Sequence, residues 1–168
     1  YSLMIIRPEK PADRDAIRTI NLDAFDSDTE ANLVDALRDS GTEFISLVAE
    51  TKDTLVGHIL FSPVTCTGDA KIMGLAPMAV RKAWQRQGVG TQLVEAGLQA
   101  CRQAGAVTVI VLGHPQYYPR YGFELEANHG IESEYEEAAE DFMLKALQPR
   151  ALDAINGLLR YHPAFRAL

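Results

Sequence analysis

The chain has 168 residues, of which 47% are hydrophobic and 23% are charged. This length fits one globular domain with a sizeable core, and the composition excludes a disordered or fibrous protein. Sixteen Lys and Arg against 23 Asp and Glu give a formal net charge of −7, which argues against a nucleic-acid-binding protein that works by neutralising phosphates. We expect a single domain over residues 1–168, in which residues 1–3 precede a candidate initiator, Met4.

No segment of the sequence has the length of a membrane span. The longest strongly apolar runs, residues 75–80 and 107–112, have six residues each, whereas a spanning helix needs about 20. The first ten residues contain no apolar region or cleavage site typical of a signal peptide. We therefore expect a cytoplasmic protein without a membrane partner. Cys66 and Cys101 form no CxxC pair, which predicts two buried apolar groups rather than a disulfide or a zinc site.

Apolar residues along the chain alternate between strand and helix periodicity, which predicts a mixed α/β (α+β) fold. A nearly continuous apolar run at residues 107–112 indicates a strand that is covered on both faces. In chain order we predict a strand at residues 4–7, a helix from Pro11, a helix at 28–38, a hairpin of 44–50 with 55–66, a strand at 72–80, a helix at 91–104, and strands at 107–112, 142–147 and from about Gly157.

The stretch between the strand at 72–80 and the following helix carries the clearest chemical signal. Gln85-Arg86-Gln87-Gly88-Val89-Gly90 precedes a helix that we expect to begin near Thr91. Glycines at a helix start let backbone N–H groups converge on an anion, and the helix dipole favours negative charge there. A phosphate is the natural ligand, although a tight turn without any ligand is the alternative. The Walker A motif is absent, and Leu93 occupies the third-glycine position of the dinucleotide fingerprint.

The spacing Gln85-x-x-Gly88-x-Gly90 after the strand residues 76–80 resembles the pyrophosphate-binding motif of the GNAT N-acetyltransferase superfamily. The order of the predicted elements resembles that family over nearly the whole chain. The segments GLAPMAV, YYPRYGF and YHPAF resemble those of a small, poorly characterised bacterial subgroup. This resemblance implies a mixed, mostly antiparallel central sheet, flanked by helices, whose fourth strand is bulged and splayed. Pro77 gives an independent reason to expect an irregular strand there.

The resemblance also implies acetyl-CoA as co-substrate and no metal. In that family the pantetheine arm pairs with the fourth strand, and a backbone N–H near Met78 or Ala79 would stabilise the thioester oxyanion. Arg81 and Arg86 are either supplementary charges or solvated surface residues. The matching residues are Met78, Ala79 and Val80 for the pantetheine arm, and Arg86, Gln87, Gly88, Val89, Gly90 and Thr91 for the pyrophosphate.

A tyrosine-rich turn, residues 117–123, resembles the family pattern in which a tyrosine four residues before a glycine lies beside the coenzyme sulfur. Tyr118 holds that position relative to Gly122. A phenol with a pKa of about 10 can protonate the departing thiolate, so Tyr118 is the candidate general acid. The alternative is that Tyr118, like Tyr117 and Tyr121, only packs against the sheet. Pro119 departs from the polar residue that usually follows the tyrosine.

The general base is less evident from the sequence. Direct attack needs an unprotonated amine, so a carboxylate, a histidine or a water must accept a proton. Glu30, near the start of the second predicted helix, is a candidate base or acceptor contact, or else a solvated carboxylate. His114 adjoins the tyrosine-rich turn, and His58 is predicted to pack inside a strand. His129 and His162 have no ligand spacing, so no metal site is expected.

The resemblance implies transfer of an acetyl group to a primary amine. We expect direct attack in a ternary complex, because no cysteine adjoins a histidine that would favour a covalent acyl-enzyme. The acidic stretch 124–141 could attract a cationic acceptor such as a polyamine, a lysine side chain or an amino terminus, or it is a solvated face. Two alternatives stay open. One is a non-catalytic acyl-CoA-binding sensor, and the other is a P-loop nucleotide-binding protein. A homodimer contact through the last strand is a further expectation.

Overall fold

The computed structural model describes residues 3–66, 68, 70–112, 116–125, 142–151, 155 and 158–167. Across these residues it contains seven strands and three α-helices, which confirms the mixed α/β class. Short 3-10 segments lie at Pro11–Asp13, Lys82–Trp84, Tyr118–Tyr121 and Pro163–Ala167. The order is β1 (Ile5–Pro8), α1 (Arg14–Ala24), α2 (Thr29–Asp39), β2 (Ile45–Thr51), β3 (Thr54–Val64), β4 (Ile72–Val80), α3 (Val89–Gln103), β5 (Thr108–Leu112), β6 (Glu124–Leu125) and β7 (Phe142–Ala146).

The strands form one sheet in the order β1-β2-β3-β4-β5-β7-β6. The pairs β1–β2, β2–β3, β5–β7 and β6–β7 are antiparallel, and β4–β5 is parallel. This is the mixed, mostly antiparallel sheet that the sequence predicts. The register of β4 with β5 runs from Ile72↔Thr108 to Leu75↔Val111, while β4 itself continues to Val80.

The chain divides into two compact units. The first comprises Tyr1–Phe61, Pro77–Gly97 and Pro163–Leu168, and the second comprises Ser62–Ala76 and Leu98–His162. The unit boundaries fall within β3, β4 and α3. The predicted coenzyme loop therefore belongs to the first unit, and the tyrosine-rich turn belongs to the second.

In the first unit, the buried faces of α1 and α2 follow the apolar spacing of the sequence. Ile17 and Ile20 of α1 are fully buried, as is Leu37 of α2. The Arg18 guanidinium donates to the Asp35 carboxylate at 2.8 Å, which ties the two helices together. An (i, i+3, i+4) apolar pattern with charged residues on the other face thus gives each helix one buried and one solvated side.

The charged residues around β1 are paired. The Arg7 guanidinium donates to Asp13 at 2.8 Å and to Glu50 at 3.3 Å. The Arg7 hydrogen bonds hold the pKa of the Asp13 carboxyl below its usual range. Arg38 of α2 likewise pairs with Glu9. These charge-assisted hydrogen bonds connect β1 and α2 to the segments beside them.

In the second unit, β5 is the buried strand that its apolar sequence predicts. Thr108, Val109, Ile110 and Val111 are all buried. β5 pairs with β4 on one side and β7 on the other. Phe142 of β7 packs against Tyr161, with ring centroids 5.9 Å apart.

One predicted boundary and one predicted strand need correction. The helix α3 begins at Val89, earlier than Thr91, so Gly90 lies within its first turn. The last predicted strand is wrong in extent, since the described residues there form only an isolated bridge, Thr65↔Arg160. The two-residue strand β6 is missing from the prediction. Gly157 and residues 126–141, which include most of the acidic stretch, lie outside the described part of the chain.

Both cysteines are free thiols. Cys101 is buried as predicted, and burial raises its pKa to about 12, so it stays protonated at neutral pH. Cys66 is half-buried. No helix in the described residues is long and apolar enough to cross a membrane. Within the same residues, no group of three His, Cys, Asp or Glu side chains could hold a metal ion.

Candidate functional site

The loop between β4 and α3 contains two residues with left-handed backbone. Arg86 has φ of 63° and Gly88 has φ of 85°. A Cβ on Gly88 would meet nothing within 4 Å, so the backbone conformation, rather than space, favours glycine there. Arg86 has the same left-handed backbone although it carries a side chain. Such backbone strain is found at ligand-binding loops. Two left-handed residues so close together turn the chain sharply from β4 into α3.

The first turn of α3 presents backbone N–H groups next to this loop. The Gln92 N–H donates to the Gly88 carbonyl at 3.1 Å, which is the first hydrogen bond of the helix. The amides at the start of a helix have no acceptor within the helix, and those of Val89 and Gly90 belong to this group. Gly88 itself is exposed. Together with the helix dipole, this geometry suits an anion.

Two glutamine side chains of the loop bind backbone carbonyls within the same segment. Gln85 donates through Nε2 to the Val80 carbonyl at 3.0 Å. Gln87 donates through Nε2 to the Ala83 carbonyl at 3.1 Å. The Gln85 side chain therefore connects the loop to the end of β4. This hydrogen bond is a structural reason for a glutamine at the first position of the motif.

The two candidate arginines differ in their surroundings. Arg81 is half-buried, and its Nε donates to the Leu55 carbonyl of β3 at 2.8 Å, while its backbone N–H donates to the Val56 carbonyl at 2.9 Å. Arg81 therefore anchors the segment to β3. Arg86 is exposed on the loop itself.

Backbone groups at the end of β4 alternate in direction. The Arg81 N–H points to β3, and the Ala79 carbonyl lies 3.4 Å from the position that a Cβ on Gly57 of β3 would take. Since alternate residues of a strand direct their backbone groups to opposite edges, Met78 and Val80 face away from β3. Both side chains are half-buried, whereas that of Ala79 is buried.

The tyrosine-rich turn in the second unit has a buried phenol at its centre. Tyr118 is 8% exposed, and its ring makes edge contacts with Tyr117 at 5.0 Å and Phe123 at 5.7 Å between centroids. Burial, with a smaller effect of Tyr121, raises the pKa of Tyr118 to about 12. The phenol is therefore fully protonated at neutral pH. No residue in the described part of the chain makes a hydrogen bond to its hydroxyl.

Tyr117 and Tyr121 behave as packing residues. The Tyr121 hydroxyl donates to the Tyr117 hydroxyl at 2.7 Å, and the Arg120 guanidinium lies 4.6 Å from the centroid of the Tyr117 ring. Burial, together with the bond from Tyr121, raises the pKa of Tyr117. These contacts define the turn in which Tyr118 is held.

Glu30, the candidate base, lies in the first turn of α2 and is half-buried. Its Oε2 atom is enclosed and has no hydrogen-bond partner among the described residues. A fully solvated carboxylate, the alternative considered from the sequence, would expose both oxygens. An enclosed carboxylate oxygen without a protein partner is a suitable acceptor for a cationic group.

His58 is the packed strand residue that the sequence predicts. It is fully buried, and its Nε2 lies 2.9 Å from the Ser46 hydroxyl, while its Nδ1 lies 3.4 Å from the Asn21 amide nitrogen. Burial, assisted by the positive charge of Arg38, lowers the pKa of His58 to about 3. A neutral, enclosed imidazole cannot accept a proton from a substrate. His114 and His129 lie outside the described residues, and His162 is half-buried.

His58 makes stability pH-dependent. Its pKa rises from about 3 in the folded protein to about 6.5 on unfolding, so the unfolded chain takes up a proton as pH falls through this window and stability is lost. Between about pH 7.5 and 5.5 we expect the free energy of unfolding of the parent protein to fall by about 1.4 kcal/mol more than that of His58→Gln. Denaturant unfolding of both proteins at the two pH values measures this difference, and parallel losses would contradict the assignment.

The first unit thus contains the loop, the end of β4 and Glu30, and the second contains Tyr118.

Sequence reasoning missed one polar contact of the segment that leads into the loop. The Lys82 N–H donates to the Asp23 carboxylate of α1 at 2.7 Å. No spacing in the sequence predicts a contact between residues so far apart in the chain.

The chain matches the family described as the acetyltransferase (GNAT) family over residues 14–123. This range includes β4, the loop and the tyrosine-rich turn. The Escherichia coli K12 protein YhbS, an uncharacterised N-acetyltransferase, is 37% identical over 164 residues, which are 96% of this chain and 98% of the relative. YjhQ of the same organism, also an uncharacterised N-acetyltransferase, is 42% identical over 118 residues, covering 67% of this chain and 65% of the relative.

Two solved structures are similar over nearly the whole chain. The crystal structure of E. coli YhbS in complex with CoA has a TM-score of 0.94 and 36% identity, covering 99% of this chain and 93% of that one. A GNAT family acetyltransferase from Brucella melitensis in complex with acetyl-CoA has a TM-score of 0.81 and 35% identity, covering 98% and 99%.

Proposed function

Because the chain belongs to the acetyltransferase (GNAT) family, we propose that it transfers the acetyl group of acetyl-CoA to a primary amine by direct attack in a ternary complex. One observation carries the proposal. The loop after β4 turns through Arg86 and Gly88 into the first turn of α3 and presents backbone N–H groups as an anion would require. Two relatives with at least 35% identity have been crystallised with CoA or acetyl-CoA, which supports the same coenzyme here.

The coenzyme pyrophosphate binds at this loop. The backbone amides of residues 86–91 surround it, and the exposed Arg86 adds a positive charge. Arg81 acts through its anchor to β3. Phosphate oxygens are good acceptors for several N–H groups at a helix start, and the left-handed backbone at Gly88 allows the chain to approach them closely.

The pantetheine arm runs along the free edge of the end of β4. Met78 and Val80 direct backbone groups away from β3, and Val80 already accepts a bond from Gln85. Met78 is therefore preferred over Ala79 as the N–H that stabilises the thioester oxyanion, since the Ala79 backbone is directed toward β3. A preorganised donor of this kind acts where negative charge develops in the transition state.

Tyr118 acts as the general acid. Attack by the amine forms a C–N bond, and collapse of the tetrahedral intermediate breaks the C–S bond and leaves a thiolate. The Tyr118 hydroxyl donates a hydrogen bond and then its proton to that sulfur. Its raised pKa keeps the proton in place until the thiolate forms. The nitrogen loses a second proton as the amide forms, and this proton restores the phenol through solvent.

Glu30 recognises the acceptor. Its enclosed Oε2 binds the ammonium group and accepts the proton that must leave before the nitrogen attacks. We expect Glu30→Gln to lower kcat/KM for the amine at least about tenfold and to leave the dissociation constant for CoA unchanged. The matched control is Asp28→Asn, an exposed carboxylate two residues earlier. Equal effects of the two substitutions on kcat/KM would remove Glu30 from the mechanism.

Acetyl-CoA is a metabolite of the cytoplasm, so we place the reaction there, in a bacterial cell like those of the relatives. The chain acts as one N-acetyltransferase domain, as the near-complete coverage of YhbS supports. Two copies form a homodimer, which sedimentation velocity of the purified protein would test.

The experiment that tests the function is release of free CoA thiol from acetyl-CoA in the presence of an amine library that contains polyamines, lysine peptides and amino-terminal peptides. We expect thiol release with at least one amine, together with an acetylated product of matching mass. Coenzyme binding without turnover on any amine would favour the non-catalytic sensor instead.

A further inference from the structure

Asp23, in the last turn of α1, contacts the segment that leads into the coenzyme loop. Its Oδ2 accepts the backbone N–H of Lys82 at 2.7 Å. Lys82 is the first residue of the 3-10 turn Lys82–Trp84, and the preceding residue, Arg81, provides no side-chain cap. Arg81 holds the N-cap position, and Asp23, from a distant part of the chain, provides the capping hydrogen bond instead. A bond between an amide and a carboxylate is stronger than one between neutral groups.

The position of the coenzyme loop depends on this turn. The Trp84 N–H donates to the Arg81 carbonyl at 2.8 Å, and Gln87 reaches back to the Ala83 carbonyl. A shift of the turn would therefore move the loop residues Gln85 to Gly88 relative to α3. Among the described residues of α1, Asp23 provides the acceptor for the first amide of this turn.

We infer that Asp23 is a positioning residue for coenzyme binding, which orders the turn before the loop so that the loop amides point at the pyrophosphate. The inference rests on the proposed function, since it presumes that the coenzyme binds at this loop. Charge and geometry act in opposite directions here. The negative charge of Asp23 repels an anionic ligand, whereas its hydrogen bond to Lys82 favours binding by preorganisation.

Asparagine separates these two effects, because its amide oxygen still accepts an N–H bond but carries no charge. Asp23→Ala removes both the bond and the charge. If the hydrogen bond dominates, only the alanine variant binds the coenzyme more weakly. If charge dominates, both variants bind more tightly.

The test is calorimetric titration of the full chain with CoA. We expect Asp23→Ala to raise the dissociation constant about fivefold, because the order that a cap typically gives a helix would then have to be supplied on binding. Asp23→Asn should stay close to the parent protein. The matched control is Asp26→Ala, which removes an exposed carboxylate two residues after the end of α1 and should not change binding. Thermal unfolding of each variant shows whether it is folded, and the asparagine variant keeps the comparison valid if alanine destabilises the chain.

Three results would overturn the inference: alanine equal to the parent protein, alanine and asparagine equally weak, or tighter binding by both variants. Each of these requires that the parent protein binds CoA. Absence of binding by the parent protein is a different result, since it contradicts the proposed function itself.

Discussion

Replacing Tyr118 by Phe should lower kcat for acetyl transfer by about 10²- to 10⁴-fold, the usual contribution of a general acid, and should leave the dissociation constant for acetyl-CoA nearly unchanged. The ring of Phe keeps the edge contacts with Tyr117 and Phe123, so only the proton donor is lost. Steady-state kinetics with the best amine, combined with calorimetric titration of the coenzyme, separates the two quantities.

The matched control is Tyr121→Phe, which removes the hydroxyl bond to Tyr117 and not the hydroxyl of Tyr118. The effect of Tyr121→Phe on kcat should be small.

Because the pKa of Tyr118 is about 12, ionisation of Tyr118 should cause no loss of kcat up to about pH 10. A Tyr118→Phe enzyme with full turnover would remove Tyr118 from the acid role.

Replacing Gly97 by Ala destabilises the protein by about 2 kcal/mol, within the range measured for overpacked cores. A Cβ at this position of α3 would lie 2.6 Å from Cζ of Phe61, and the Phe61 ring is fully buried and cannot move aside. The free energy of unfolding, measured with urea at constant pH, reports the change.

The second substitution Phe61→Leu provides the control for this contact. It shortens the side chain that a Cβ on Gly97 meets. The loss of unfolding free energy in the double variant should therefore be smaller than the sum of the losses in the two single variants. Additive losses in the double variant would show that the cost does not arise from the contact with Phe61.

Local periodicity predicts most of the elements because it reflects burial directly. The strand at residues 72–80 has the observed bounds of β4, and the continuous apolar run at 107–112 corresponds to the buried strand β5. The sequence predicts the start of α3 two residues late because Gly90 is a poor helix former. In the structure, the left-handed Gly88 completes the turn before the helix, and Gly90 is accommodated in the first helical turn.

Features that depend on contacts between distant residues could not be predicted. The bond from Lys82 to Asp23 and the polar surroundings of His58, formed by Ser46 and Asn21, join separate elements. The two-residue strand β6 exists only because β7 offers it partners. The motif spacing predicts where the loop between β4 and α3 lies, whereas the enclosed oxygen of Glu30 depends on how α2 packs, which a sequence pattern does not specify.

Calorimetric titration of the parent protein with CoA, acetyl-CoA and ATP tests the central claim most directly. If the loop from Arg86 to Gly90 holds the coenzyme pyrophosphate and the end of β4 holds the pantetheine arm, both coenzyme forms bind with one site per chain and ATP does not bind comparably. Binding of ATP as tightly as CoA would indicate a nucleotide-binding loop instead. Absence of heat with all three ligands would contradict the acetyltransferase assignment of this site.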